Sequence, residues 1–266
     1  MCRLFGYVAD APTALVDELG AEEFEAFTSL TRVHADGWGM AWHDAETGRT
    51  RSARSFERAD DDPEYARLAA QRLGSAGFVH LRWATGGLAV NEHNTHPFVD
   101  GDLAFGHNGH IGPIDKLEGL LGAEQRAKLR GTTDSERYFR LIVQCIQDEG
   151  DEAAGVTTAL RLLMREFPHS SLNALLLTGS KLFGIHVNSK ADSPREGLRE
   201  LFESPDAIPA YHETEYYAMG YRASPSCLQI ISSGLSRTGW TPVPPDTAAV
   251  VDLESRTLRR LDLIPV

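Results

Sequence analysis

Cysteine is scarce in this 266-residue chain, which holds only Cys2, Cys145 and Cys227. An odd, widely spaced set builds no disulfide framework and points to a reducing compartment. Positive charge is also in short supply: 26 Lys and Arg stand against 38 Asp and Glu, for a net charge of −12. A chain of that charge is repelled by a phosphate backbone, which argues against nucleic acid as a partner. No apolar run approaches the ~20 residues that a membrane helix needs, so no membrane span is expected. The opening MCRLFGYVADAP has no basic segment followed by a long apolar stretch, and so is not a secretory signal. Repeats, low-complexity tracts and a clear linker are absent too. The expectation is a cytoplasmic protein forming one domain over residues 1–266. A chain of this length buries roughly three quarters of its unfolded surface and needs no disulfide or metal staple.

What is present is an ordinary globular composition, 42% apolar and 24% charged. Period-2 patterns predict strands at Cys2 to Val8, Trp38 to Trp42, Arg49 to Phe56, Phe78 to Trp83 and Leu103 to Asn108. In the first, Cys2, Leu4, Gly6 and Val8 share one face, and Arg3, Phe5 and Tyr7 the other. Glu18 to Leu30 is weakly helical, and Pro63 to Leu73 is helical with Pro in its first turn. The strongest helix runs from Thr133 to Asp148. Thr133 and Glu136 there form a T-x-x-E capping box, and Tyr138, Leu141, Ile142, Cys145 and Ile146 make one apolar stripe. A second helix follows from about Ala153 to Phe167. Leu172 to Leu177 and Leu182 to Val187 read as a hairpin turning at Thr178-Gly179-Ser180, and four further strands follow. Antiparallel strands around a central helical pair give an α+β class.

Several residues carry candidate chemistry. Cys2 directly follows the initiator Met1, and a Cys there is small enough for Met1 to be trimmed. The trimmed chain would hold a thiol and a free α-amine on one residue. The thiolate is the nucleophile, and an amine of pKa ~7.7–8 suits a general base. Arg82, at a strand end before Gly86-Gly87, suits a bidentate carboxylate clamp; a structural ion pair is the alternative. Asn108-Gly109 can pair a side-chain amide with a backbone N–H as an oxyanion hole, or be an Asn-Gly turn. Asp134, in the first turn of its helix, suits the macrodipole and could equally bind an ammonium. His93/His96 and His107/His110 are spaced HxxH and offer a zinc-hydrolase alternative, although HxxH in a loop lacks the geometry of a helical H-E-x-x-H. Cys145 and Cys227 read as inert core thiols.

The ordered set Met1-Cys2, Asp36-Gly37-Trp38-Gly39, Arg82-Trp83-Ala84-Thr85, Asn94-Thr95-His96-Pro97-Phe98, His107-Asn108-Gly109 and Thr133-Asp134-Ser135-Glu136 resembles the class II glutamine amidotransferases. These are members of the N-terminal-nucleophile (Ntn) hydrolase superfamily. The resemblance spans about the first half of the chain, and Ile230-Ile231-Ser232-Ser233 through Gly239 to Pro244 is similar to stand-alone members. It implies a four-layer αββα sandwich of two antiparallel sheets. It also implies Cys2 as nucleophile with its own amine as base, and Asn108 and the Gly109 N–H at the oxyanion. Arg82 and Thr85 would hold the substrate carboxylate, Asp134 the ammonium, and the backbone around Asp36-Gly37 would orient the terminal amine. The implied substrate is the small molecule glutamine or a γ-glutamyl amide, cleaved through a γ-glutamyl thioester without cofactor or metal. Gly86 stands where synthetase-coupled members commonly carry His, which removes one contact near that carboxylate. No acceptor domain is recognisable in the chain, so a γ-glutamyl amidohydrolase is expected. A glutaminase feeding ammonia to a separate synthetase partner is the alternative.

Overall fold

A computed structural model describes residues 2–84, 88–194, 198–199 and 215–263. Its strands form two antiparallel sheets. The first is seven-stranded and is built around β1 (Arg3–Thr13) and β4 (Gly74–Leu81). On one side of this pair lie β2 (Trp38–Asp44) and the edge strand β3 (Thr50–Ser55). On the other lie β10 (Cys227–Ser232), β9 (Met219–Ala223) and the short β11 (Thr241–Pro242). The second sheet is six-stranded. Its order runs β13 (Leu258–Leu261), β12 (Thr247–Asp252), β8 (Lys181–His186), β7 (Asn173–Leu177), β6 (Leu103–Asn108) and edge strand β5 (Phe98–Asp100).

The alternation in β1 shows why the sheets stack. Leu4 and Val8 face inward with Phe78, Ala104, Leu175 and Leu177, forming the layer between the sheets. Phe5 and Tyr7 face outward, into a second core with Trp38, Met40 and Trp42. Both faces are apolar, so both must be covered. Helices α1 (Leu15–Leu19), α2 (Ala21–Ser29) and α3 (Pro63–Ala69) cover the first sheet through Leu15, Leu19, Phe27, Tyr65 and Leu68. The second sheet is covered by α6 (Asp134–Glu149) and α7 (Glu152–Glu166), after the one-turn helices α4 (Ile114–Glu118) and α5 (Ala123–Ala127). Phe105, Leu176 and Phe183 meet Tyr138, Leu141, Leu160 and Leu163 there. The layers therefore run helix, sheet, sheet, helix.

This corrects one reading of the sequence, because the helical pair is not central. The sheets are inside, since their strands bury both faces, while α6 and α7 each offer a single apolar stripe. Element boundaries also move. The stretch from Glu18 to Leu30 splits into α1 and α2 because Gly20 takes φ 79°, which no regular helix accommodates. Strand β4 begins at Gly74, ahead of the expected Phe78, and ends before Arg82 and Trp83. The capping box is half formed. Thr133 Oγ accepts the Glu136 N–H at 3.1 Å, but the Glu136 carboxylate reaches past it to the N–H groups of Arg130 and Gly131, at 2.9 and 2.8 Å. Among the described residues, no helix is long and apolar enough to cross a membrane.

Candidate active site

One end of the sandwich gathers residues from both sheets and from the start of α6. Cys2, Arg82, Trp83, Asn94, His96, His107, Gly109 and Asp134 line a common cavity. Cys2 stands at the head of β1, in the first sheet, and Asn108 at the end of β6, in the second. They meet because Cys2 lies on the inward face of its strand with Leu4, and Asn108 lies on the inward face of its own with Ala104. The Cys2 backbone N–H donates to Asn108 Oδ1 at 2.9 Å. The Asn108 side chain is fully buried, and its Nδ2 has no hydrogen-bond partner. Gly109 admits no side chain, because a Cβ there would lie 1.9 Å from the Ser171 carbonyl oxygen.

The thiol pKa lies below its ordinary value. Burial pushes it up most strongly of any single cause. The opposing causes, led by the charge of His80 and including hydrogen bonds involving His80 and the Trp83 backbone, overcome this and hold its pKa at about 6. The register that pairs Leu4 with His80 explains the proximity, since Cys2 and Leu4 share that face. His80 hydrogen-bonds through Nε2 to the His107 carbonyl at 3.2 Å, and so acts there as an N–H donor. By contrast, burial raises Cys145 to about 11 and pushes Cys227 well up.

Arg82 is 2% exposed and has no carboxylate within salt-bridge distance among the described residues. Its Nη1 and Nη2 donate to the backbone carbonyls of Asp36 and Ala89 at 3.1 and 3.3 Å. The structural ion pair weighed for Arg82 is therefore not formed among the described residues. Burial lowers its pKa, opposed by the charges of Cys2 and Asp36. Asp36 and Gly37 do not line the cavity but brace this arginine segment. Asp36 Oδ2 accepts the Ala84 N–H at 2.7 Å, and Gly37 O accepts the Arg82 N–H at 2.8 Å. Asp134 is 6% exposed, and its Oδ2 accepts the Ile111 N–H at 2.6 Å. Thr85 lies outside the described residues.

The four histidines of the zinc alternative do not converge. His93 is exposed, and His110 sits with its Nδ1 3.6 Å from Asp134 Oδ2. His107 has both nitrogens engaged, Nδ1 by Ser135 Oγ and Nε2 by the Ser171 carbonyl, each at 2.9 Å. His96 is buried and kept neutral, chiefly by desolvation, and its ring lies 4.1 Å from that of His80. Among the described residues, no group of three His, Cys, Asp or Glu side chains forms a metal-ligand set.

Two residues near the thiol escape the sequence reading. His80 falls inside the strand expected at Phe78 to Trp83 with no motif of its own, and only the strand register shows that it faces Cys2. Arg3 is fully buried, donates Nη1 to the Cys2 carbonyl at 3.0 Å, and stacks its guanidinium 4.3 Å over Tyr216. Its signal was a lone cation on the Phe5–Tyr7 face.

Two antiparallel sheets packed face to face between helical layers, with a thiol at the head of a central strand, define the Ntn-hydrolase fold. Residues 1–193 match the family described as Glutamine amidotransferases class-II, and the chain belongs to that family. Curated relatives include the glutamine–fructose-6-phosphate aminotransferase (isomerizing) of Brucella abortus, 33% identical over 214 residues, covering 78% of this chain and 32% of the relative. The Aliivibrio fischeri protein of the same name is 32% identical over 154 residues, covering 56% and 23%. The chain thus spans about a third or less of these relatives. Among solved structures, a glutamine aminotransferase class-II domain protein from Silicibacter pomeroyi superposes with TM-score 0.63 at 20% identity, covering 98% of this chain and 100% of that one. The allosteric regulatory enzyme of purine biosynthesis gives 0.65 at 16% identity, covering 99% and 50%.

Proposed function

We propose that this chain hydrolyses the γ-amide of glutamine or of another γ-glutamyl compound, with Cys2 as nucleophile once Met1 is removed. The observation that carries this reading is Asn108. Its Oδ1 holds the Cys2 nitrogen, while its buried Nδ2 donor is left over beside the thiol. An unpaired buried donor costs about 1–3 kcal/mol, and an oxyanion forming there would satisfy it. Arg82, with no carboxylate in salt-bridge contact among the described residues, suits the substrate α-carboxylate, and Asp134 Oδ1 suits its α-ammonium. The curated relatives have glutamine in their names, which supports a glutamyl substrate.

The chemistry then follows from the chain's own groups. The Cys2 thiolate attacks the δ-carbonyl carbon, forming a C–S bond and an oxyanion that accepts hydrogen bonds from Asn108 Nδ2 and the Gly109 N–H. The freed α-amine, held by Asn108 Oδ1, carries the proton taken from the thiol. It passes that proton to the leaving nitrogen as the C–N bond breaks, releasing ammonia or an amine. The same amine deprotonates a water that attacks the γ-glutamyl thioester. The C–S bond breaks, glutamate leaves and the thiolate is restored.

Intact mass of the native protein, before and after a glutamine-analogue electrophile, tests the nucleophile. A chain without Met1 and a single adduct on Cys2 are expected, and active enzyme that retains Met1 removes the mechanism. Glutamate release from glutamine and from a panel of γ-glutamyl amides identifies the leaving group, with faster turnover of a larger amide than of glutamine expected. Fast turnover of glutamine alone overturns that preference.

A further inference from the structure

Outside this cavity, the chain holds a cleft of about 490 Å³ whose charge runs against that of the whole protein. It lies where the edge strands β3 and β5 of the two sheets come alongside the start of α6. Arg54, Lys128, Arg130 and Arg140 line it, with Asp100 and Glu136 as its carboxylates. In a chain of net charge −12, a cleft with this cationic excess is a local inversion.

The two carboxylates do not neutralise it. Asp100 is taken by Arg140 at 2.5 Å, with Lys128 at 3.8 Å, and Lys128 itself pairs more closely with Glu124, at 3.0 Å. Glu136 spends both oxygens on the backbone N–H groups of Arg130 and Gly131. Arg54 is turned to the carbonyls of Thr95 and Pro97 and pairs with Glu92 at 3.5 Å. Two donors remain. The Arg130 guanidinium has no carboxylate within salt-bridge distance among the described residues, and Arg140, only 8% exposed, has a buried Nε without an acceptor. A buried guanidinium N–H without a partner is costly, and an oxyanion is the group that satisfies it. Phe98 and the exposed Val99 add an apolar wall, and the volume falls in the range of small-ligand sites.

We infer that this cleft binds a small phosphate ester, with its phosphate between Arg130 and Arg140 and its organic part against Phe98 and Val99. A planar guanidinium pair matches a phosphate's several oxygens better than a single carboxylate does. The site backs onto the thiol cavity. His93 lines the cleft while its neighbour Asn94 lines the cavity, and Arg130 and Glu136 flank the cavity residues Thr133 and Asp134. Asn94 zips the two segments together, accepting the Thr132 N–H at 2.8 Å. The inference stands on the cleft alone and does not require the glutamyl reading.

Calorimetric titration of the full chain with glucose 6-phosphate and with AMP tests it, using glucose, adenosine and citrate as comparators. Saturable binding with Kd below about 1 mM is expected for at least one phosphate ester, competed by inorganic phosphate and absent for the unphosphorylated comparators. Arg130→Glu should weaken that binding at least tenfold with unchanged circular dichroism. Arg259→Glu, the same charge change on exposed β13 at the opposite edge of the sheet, should leave it within about twofold. Three results overturn the assignment: no saturable binding of either ester at about 10 mM, equal losses in both variants, or tighter binding of citrate than of either ester.

Discussion

At the scale of single residues, the proposed chemistry rests on a thiol whose surroundings oppose one another. Burial alone would raise the Cys2 pKa, and the chain counters it chiefly with His80, leaving a value of about 6. A lowered pKa places the thiolate above that pH and the inert thiol below it. Alkylation of Cys2 by iodoacetamide should therefore rise with a midpoint near pH 6 and level off above it, while Cys145 and Cys227 stay unmodified at pH 7. His80→Asn removes the chief opposing charge, so the midpoint should move upward, toward or beyond the free-cysteine value of about 8.5. An unmoved midpoint would show that His80 does not act on the thiol. Asn108→Ala tests a different quantity, the leftover Nδ2 donor. Its loss should lower kcat by a hundredfold or more, about 3–4 kcal/mol, with a smaller change in KM. Of these residues, Cys2, Asn108 and Asp134 were legible because motif and spacing single them out. His80 and Arg3 were not, because their importance depends on which strand lies beside β1, and a pairing register is not written in either strand alone.

At the scale of elements, local patterns located the strands and helices well and their ends less well. The alternation of β1 and the apolar stripe of α6 survive in the fold because each is a burial requirement that the whole molecule satisfies. What local pattern missed were the features governed by contact. Short β5 exists because β6 needs a neighbour, pairing Phe98 with Phe105. The Glu136 carboxylate likewise leaves its expected place in the capping box to hold the loop at Arg130 and Gly131. The start of α6 thus has two jobs, ending a loop and presenting Asp134. Thr133→Ala deletes the side-chain oxygen that accepts the Glu136 N–H, and should cost about 1 kcal/mol in urea unfolding. Because Asp134, the proposed ammonium ligand, is the next residue, the same variant should raise KM for the proposed γ-glutamyl substrate more than it lowers kcat. A KM unchanged at the expected stability loss would separate the cap from the binding of the ammonium.

At the scale of the whole molecule, the site is a consequence of stacking. No single sheet contains it: Cys2 and Arg82 adjoin the ends of neighbouring strands in one sheet, Asn108 ends a strand of the other, and Asp134 comes from the helix layer beyond. The distance between the sheets therefore sets the distance between the thiol and the buried amide. Along β6, Ala104, Gly106 and Asn108 alternate onto the inward face, opposite the face of β1 that carries Cys2 and Leu4. Gly106 is where the sheets come close, since a Cβ there would lie 3.0 Å from Phe78 Cε2 and 3.2 Å from Leu4 Cδ2. Valine at this position is a wedge one turn of the pleat away from the Cys2–Asn108 hydrogen bond. Gly106→Val should cost about 1–3 kcal/mol of stability through overpacking. It should also slow glutamate release more than that loss explains, because the surviving folded molecules hold Asn108 farther from Cys2. Adding Phe78→Leu returns space to the same layer without touching the site. The pair should regain activity to a greater degree than stability, because the shortened Phe78 side chain gives up apolar burial of its own. If the double variant stays as slow as Gly106→Val while its unfolding midpoint recovers, sheet spacing is not what positions the nucleophile.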